Sequence, residues 1–200
     1  MNRQRFLLVA SFPDSLIQFR GPLIDALLEA GNDVHVAVPD SAPGGEVAVA
    51  LASKGVRVHG IPLQRTGLNP IRDLKLLLSL VALMLRLRPR FVLSYTIKPV
   101  VYGSIAAWLV GVKHRFALVT GLGYAFTGTA SGKRALLRRL IQRLYRFALK
   151  RTHRVFFQNP DDEALFRELR LLPEIVPSSV VNGSGVDAVS YTHLTLPTKA

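Results

Sequence analysis

The sequence contains no cysteine, which removes disulfides and thiolate metal sites and leaves the compartment open. It is also short of acid. Thirteen Asp and Glu stand against 26 Lys and Arg, a formal net charge of +13, with a pI near 10.9. That excess points to an anionic partner: nucleic acid, phospholipid headgroups or a phosphorylated substrate. Long apolar runs are missing: residues 74–87 and 100–112 fall short of the ~18–20 needed to span a bilayer, so no transmembrane helix is expected. Residues 1–5 lead straight into a five-residue apolar stretch, too short for a signal-peptide core and followed by no small-residue cleavage site. The five histidines (35, 59, 114, 153 and 193) form no i,i+4 pair, which argues against a metal site.

Several catalytic signatures are absent as well. The first strand is followed by Ser11-Phe12-Pro13-Asp14-Ser15, which lacks G-x-G-x-x-G, so a dinucleotide site is not supported. Gly128-Thr129-Ala130-Ser131-Gly132-Lys133 is one residue short of a P-loop, and Arg134 follows where Mg²⁺ needs Ser or Thr. Ser184 in Gly183-Ser184-Gly185 does not fit the G-x-S-x-G nucleophile elbow. Asp161 and Asp162 read as helix-start residues, and His114 and His153 as structural neighbours of strands.

What is present is a strong α/β pattern. Hydrophobic residues make up 49% of the chain and mean hydropathy is +0.27, which excludes a disordered polypeptide. Two hundred residues suit one α/β domain with a substantial core. Strands are predicted at 5–10, 34–38, 56–61, 91–95, 116–120, 155–157 and 179–181. Between them lie helical segments at 16–28 (read from Leu16, Leu23, Ile24, Leu27 and Leu28), 45–54, 70–88, 100–110, 133–151 and from Asn159-Pro160 onward. Asn69-Pro70 supplies an N-cap and a proline at the first helical position. Strands alternating with helices through short loops give a doubly wound parallel sheet.

Residues 94–126 organise the rest. Two buried strands flank a helix that stops at Gly111, and each strand is followed by a functional-looking loop, Thr96-Ile97-Lys98-Pro99 and Gly121-Leu122-Gly123-Tyr124. Ligands of open α/β sheets bind outside the carboxyl ends of the strands. Lys98 suits an anionic ligand or, as surface lysines commonly are, simple solvation, and Gly121 and Gly123 fit either a plain turn or a backbone that approaches a phosphate or sugar.

The helix at 133–151 carries the other signal. Leu137, Leu140, Ile141, Leu144 and Ala148 form one stripe with Leu136 and Phe147 at its edge. Arg139, Arg143, Arg146 and Lys150 line one flank, Arg134 and Arg138 the other, and no acid interrupts them. A basic helix with an apolar face suits an anionic membrane surface, and equally a surface helix packed on the sheet with its basic side in water. Nucleic-acid binding needs the same charge but lacks interleaved aromatics or a recognition motif here. The leucine-rich helix at 70–88 reads mostly as core, its excess apolar surface suiting a membrane or an interface.

Five pieces in order resemble the N-terminal half of a family 4 GT-B glycosyltransferase, above all enzymes that extend sugars on an undecaprenyl-diphosphate carrier. They are Phe19-Arg20-Gly21-Pro22-Leu23; Tyr95-Thr96-Ile97-Lys98-Pro99 with Tyr102-Gly103; Thr120-Gly121-Leu122-Gly123-Tyr124-Ala125-Phe126; Val155-Phe156-Phe157-Gln158-Asn159 with Asp161-Asp162; and Gly183-Ser184-Gly185-Val186-Asp187. The resemblance implies a Rossmann-like domain, one half of a GT-B fold, holding the acceptor across residues 1–189. A C-terminal domain beyond this sequence would take the nucleotide-sugar donor with a glutamate pair. It further implies retaining transfer without a bound metal or other cofactor, to a lipid-diphosphate-linked or other cell-surface glycan. The enzyme would sit peripherally on the inner face of the cytoplasmic membrane and use no nucleic acid.

The acceptor wall expected from it comprises Phe12, Arg20, Gly21, Thr96, Lys98, Thr120, Gly121, Gly123 and Tyr124, with Arg20 and Lys98 reaching phosphate or sugar hydroxyls. Many members place a His after a central strand where Thr120-Gly121 stands here, so no catalytic side chain is assigned. Residues 190–200 (SYTHLTLPTKA) have no periodicity and read as a non-native tail. The alternatives are a GT-B nucleotide-sugar epimerase and a non-enzymatic basic module that binds anionic lipid or RNA.

Overall fold

Seven parallel strands run in the order β3-β2-β1-β4-β5-β6-β7, in a computed structural model that describes residues 3–39, 45–65, 67, 69–121 and 132–181. The strands are β1 (Arg5–Val9), β2 (Asp33–Pro39), β3 (Arg57–Ile61), β4 (Phe91–Tyr95), β5 (His114–Val119), β6 (Arg154–Phe157) and β7 (Ser178–Val180). The helices are α1 (Asp14–Gln18), α2 (Gly21–Glu29), α3 (Glu46–Ser53), α4 (Pro70–Leu87), α5 (Ser104–Leu109), α6 (Lys133–Leu149) and α7 (Pro160–Glu168). This is the doubly wound, Rossmann-like sheet expected from the sequence.

Right-handed crossovers decide which helix covers which face. The chain winds outward from β1 to β3, crosses back beside β1 to β4, and then winds the other way. The helices α1 to α3 therefore cover one face, packing Leu16, Ile24 and Leu51 against Phe6, Leu8, Val34, Val36 and Val38. The others cover the opposite face, where α4 packs Leu76, Leu80 and Met84 on Leu7, Val9 and Val92. Farther along that face, α6 and α7 set Tyr145, Leu149 and Phe166 against Ala117, Val155 and Phe157. Strands buried from both sides explain the near-continuous apolar runs at β1, β2 and β4.

The helix ends follow local chemistry. Asn69 Oδ1 accepts from the Ile71 and Arg72 amides at 3.1 and 3.3 Å. Asn159 Oδ1 accepts from the Asp162 amide at 2.7 Å, while Asn159 Nδ2 donates to Asp162 Oδ2 at 3.0 Å, so Asp162 is a capping residue as its position suggested. At the end of α4, Pro89 disfavours a further helical residue before it, and Arg88 closes the helix in a left-handed cap (φ 49°) with its N–H on the Met84 carbonyl.

Two local expectations are corrected. The single helix read at 16–28 is two, α1 and α2, broken at Phe19 and Arg20; Pro22 has no N–H to continue the first helix and fits the opening turn of the second. The segment after β4 does not start as an α-helix but as a π-helical turn, Pro99–Gly103. There Gly103 crosses β4 so closely that a Cβ would lie 2.3 Å from Ser94 Oγ and 3.2 Å from Ser94 Cβ. Any other residue would have to turn the Ser94 hydroxyl away and lift the segment by a few tenths of an ångström, so glycine keeps it closest to the strand.

At the outer edge, His35 Nδ1 is 2.9 Å from His59 Nε2, and His35 Nε2 is 3.2 Å from Asp33 Oδ2. One proton arrangement suits both contacts: His59 donates to His35 Nδ1, and the His35 Nε2–H faces the Asp33 carboxylate. Burial lowers the pKa of His35, and burial with the neighbouring His35 lowers His59 to about 4. The unfolded chain binds these protons near pH 6.5 and the folded one resists them, so stability is full above pH 6.5 and falls as pH drops toward 4. For a half-buried His59 the loss is about 1–2 kcal/mol by pH 4, discounted for solvent screening. Urea unfolding at pH 7 and 4.5 measures it, and His59→Phe is expected to flatten the slope.

Candidate functional site

The strand order reverses between β1 and β4, and at such a switch point the two departing chains leave a crevice at the carboxyl ends of the strands. The loop after β1 and the loop after β4 meet there. Ser11 Oγ and Thr96 Oγ1 share a hydrogen bond of 2.6 Å. Thr96 holds a left-handed backbone (φ 69°), a strained state for a β-branched residue, which places its hydroxyl against Ser11.

Below this bridge the floor is polar but tightly filled. The Tyr95 hydroxyl lies 2.9 Å from Ser15 Oγ, and burial raises its pKa to about 12, so it stays protonated. The Arg20 guanidinium lies 5.1 Å from the centre of the Tyr95 ring, and Arg20 Nη1 donates to the Phe19 carbonyl at 2.9 Å. Arg20 is only 5% exposed, and its burial lowers its pKa. It therefore supports the crevice from beneath.

Lys98 has a partner that its sequence position does not announce. Its Nζ is 2.8 Å from Asp73 Oδ1, with side chains 12% and 9% exposed. Tyr102 also hydrogen-bonds Asp73, and its pKa is raised by burial first and by Asp73 second. The pair ties the first turn of α4 to the loop after β4. A locked lysine-carboxylate pair can donate and accept at one place, which suits sugar hydroxyls.

The other expected wall residues are placed as follows. Phe12 lies in the loop after β1, with the Arg65 guanidinium 4.9 Å from its ring centre. Gly21 opens α2 with open space around its Cβ position, so packing does not require glycine there. Thr120 follows β5 and Gly121 turns with φ 133°, a backbone that favours glycine. Gly123 and Tyr124 lie outside the described residues, as do residues 182–200. The loops after β1, β4 and β5 are thus brought to one end of the sheet. Sequence reasoning passed over Ser11, Tyr95 and Asp73. Among the described residues no group of three or more His, Cys, Asp or Glu is placed to hold a metal ion, and no helix is long and apolar enough to cross a membrane.

The basic helix α6 divides differently from its predicted stripe. Its buried face is Ile141, Leu144, Tyr145, Ala148 and Leu149. Leu136, Leu137, Leu140 and Phe147 lie exposed, Leu136 at 71%. Beside them Arg139, Arg143 and Arg146 line a pocket of about 150 Å³ with Gln142, Leu169 and Leu171. Arg139, Arg143, Arg146 and Lys150 are exposed, and Arg138 is half-buried; the side chain of Arg134 lies outside the described set. Arg146 Nε donates to the Arg170 carbonyl at 2.6 Å, fixing that flank.

A family model described as a glycosyl transferase 4-like domain matches residues 20–177. The chain belongs to this family. It is 32% identical over 157 residues to the N,N'-diacetylbacillosaminyl-diphospho-undecaprenol alpha-1,3-N-acetylgalactosaminyltransferase of Campylobacter jejuni, covering 78% of this chain and 40% of that protein. Among solved structures, MurG of Acinetobacter baumannii superposes with a TM-score of 0.58 at 15% identity, over 94% of this chain and 47% of the other. UDP-N-acetylglucosamine 2-epimerase of Rickettsia bellii gives 0.60 at 11% identity, over 92% and 46%. The chain thus spans two fifths of that curated relative and about half of these structures. Its fold is one half of the GT-B architecture, a half that transferases and epimerases share, so fold alone does not separate them.

Proposed function

We propose that this chain is the acceptor-binding half of a retaining hexosyltransferase, which moves a sugar from a nucleotide-sugar to a lipid-diphosphate-linked glycan at the membrane surface. The observation that carries the reading is the likeness over 157 residues to a relative named for a diphospho-undecaprenol acceptor. The switch-point crevice is the physical complement of that reading. The loops after β1, β4 and β5 (Phe12, Thr96, Lys98, Thr120 and Gly121) form the acceptor wall, Arg20 and Gly21 shape it from behind, and Gly123 and Tyr124 complete it.

The Lys98–Asp73 pair faces sugar hydroxyls, and the nucleotide-sugar is taken mainly by a second domain. No bound metal or other cofactor enters this scheme. Retention and a place on the inner face of the cytoplasmic membrane follow from the family resemblance. The exposed leucines and arginines of α6 supply the contact with anionic lipid, and nucleic acid is not a partner.

The reading is tested by titrating this chain, by calorimetry, with a farnesyl-diphosphate-linked N-acetylhexosamine and separately with a nucleotide-sugar. Binding of the former with little of the latter is the expected result. Absence of acceptor binding overturns it, and so does sugar transfer by this chain alone.

A further inference from the structure

If the acceptor carries a diphosphate, some cations must hold it, and the geometry points to Arg65, Arg72 and Lys75. We propose that these three side chains form a diphosphate cradle at the entrance of α4, with the lipid chain following the outward leucines of the same helix. The inference rests on the lipid-diphosphate reading above and assigns it a place.

Four observations support it. A cavity of about 320 Å³ opens where β2 ends at Pro39 and β3 ends at Ile61, and Arg72 and Lys75 line it. It lies at the carboxyl ends of the strands, on the same end of the sheet as the crevice. Arg65 directly follows the lining residue Gln64 in sequence, and its guanidinium lies over the Phe12 ring at 4.9 Å, on the loop after β1. All three cations are exposed, and none forms an ion pair with a carboxylate among the described residues. Lys98, by contrast, already has its charge matched by Asp73. A diphosphate carries several negative charges and is held best by more than one unmatched cation, arginine especially.

The fourth observation is what lies beside the cations. Ile71, Leu74 and Leu78 recur at helical spacing on the exposed side of α4, at 80%, 54% and 60% exposure, while the buried side is Leu76, Leu80 and Leu83. Ile71 and Leu74 each immediately precede one of the helix's two cradle cations in sequence. An amphiphile with its diphosphate in the cavity therefore meets apolar surface directly outside it, and the helix continues that surface to Leu85, 56% exposed. A free phosphate or nucleotide would have no use for this stripe. A polyprenyl diphosphate uses both halves.

The test is calorimetric binding of farnesyl diphosphate to the whole chain, with inorganic pyrophosphate and farnesol as the separated halves of the ligand. The wild type is expected to bind farnesyl diphosphate more tightly than either half. Arg72→Glu with Lys75→Glu is expected to weaken it at least tenfold, and Arg72→Lys with Lys75→Arg to stay within about threefold. Leu74→Ser with Leu78→Ser is expected to weaken farnesyl diphosphate while leaving pyrophosphate unchanged. Arg139→Glu with Arg143→Glu on α6 changes neither.

Circular dichroism confirms folding of each variant, all of them at exposed positions. Wild-type affinity in the Arg72→Glu, Lys75→Glu variant overturns the cradle and leaves the acceptor reading standing. No binding of farnesyl diphosphate by the wild type overturns the cradle, and no binding of the farnesyl-diphosphate-linked N-acetylhexosamine as well overturns both. If the leucine substitutions weaken adhesion to anionic vesicles but not farnesyl diphosphate binding, the stripe belongs to the bilayer and the lipid half of the inference falls.

Discussion

Replacing Asp73 with alanine is expected to lower the stability of the protein by about 3 kcal/mol, a fall in Tm of about 6–12 °C for a chain of this size. The carboxylate is buried and is partner to two half-buried groups at once, the Lys98 ammonium at 2.8 Å and the Tyr102 hydroxyl. Its loss leaves a lysine that is 12% exposed without its counter-charge, and the desolvation cost of that ammonium is what the variant shows.

Asp73→Asn keeps an acceptor for Tyr102 but no charge, so it falls between. Asp73→Leu combined with Lys98→Met removes both charges and is expected to recover most of the loss, since a buried pair contributes little net stability over apolar residues of similar volume. Thermal unfolding of the wild type, Asp73→Leu, Lys98→Met and the double variant closes a double-mutant cycle. A cost below about 1 kcal/mol for Asp73→Ala means the pair behaves as a screened surface contact, and the stiffening of the loop after β4 must then be sought elsewhere.

This pair also shows where the sequence was legible and where it was not. The strands were legible because both faces of the sheet are covered, so β1, β2 and β4 read as unbroken apolar runs. The caps at Asn69 and Asn159 were legible because they act on amides two or three residues away. Asp73 was not, because its partner is 25 residues on and only the β3-α4-β4 crossover brings them together.

One trace of it is visible afterwards: Asp73 stands on the same helical stripe as Leu76, Leu80 and Leu83, and an acid on a core stripe demands a buried partner. The break between α1 and α2 was hidden for the opposite reason, since apolar spacing continued across Pro22 and periodicity outweighed the proline. The division of α6 had no local signal at all. Which of its leucines meets the sheet depends on the rotation of the helix against β5 and β6, and Tyr145, not Leu140, occupies the core.

That rotation sets the largest expected effect on function. Arg139, Arg143 and Arg146 converge on one small pocket, beside exposed Leu136, Leu140 and Phe147. Charge and apolar surface thus occupy adjoining exposed stripes of one helix, the pattern of an element that lies in a lipid interface. Each basic residue near an anionic surface contributes about 1 kcal/mol, roughly fivefold in partitioning.

Reversing three of them to glutamate is therefore expected to lower flotation with vesicles containing phosphatidylserine by at least about a hundredfold. The same substitutions have little effect on the weak adhesion to neutral phosphatidylcholine. Raising the salt from 0.05 to 0.5 M should weaken the wild type on anionic vesicles in the same direction, through screening. Leu136→Ser with Leu140→Ser should weaken adhesion to both kinds of vesicle, because it removes apolar burial instead of charge. Flotation that the arginine reversals leave unchanged would take α6 off the membrane and make its basic flank a solvated surface. The exposed leucines of α4 would then be the surface to test against lipid.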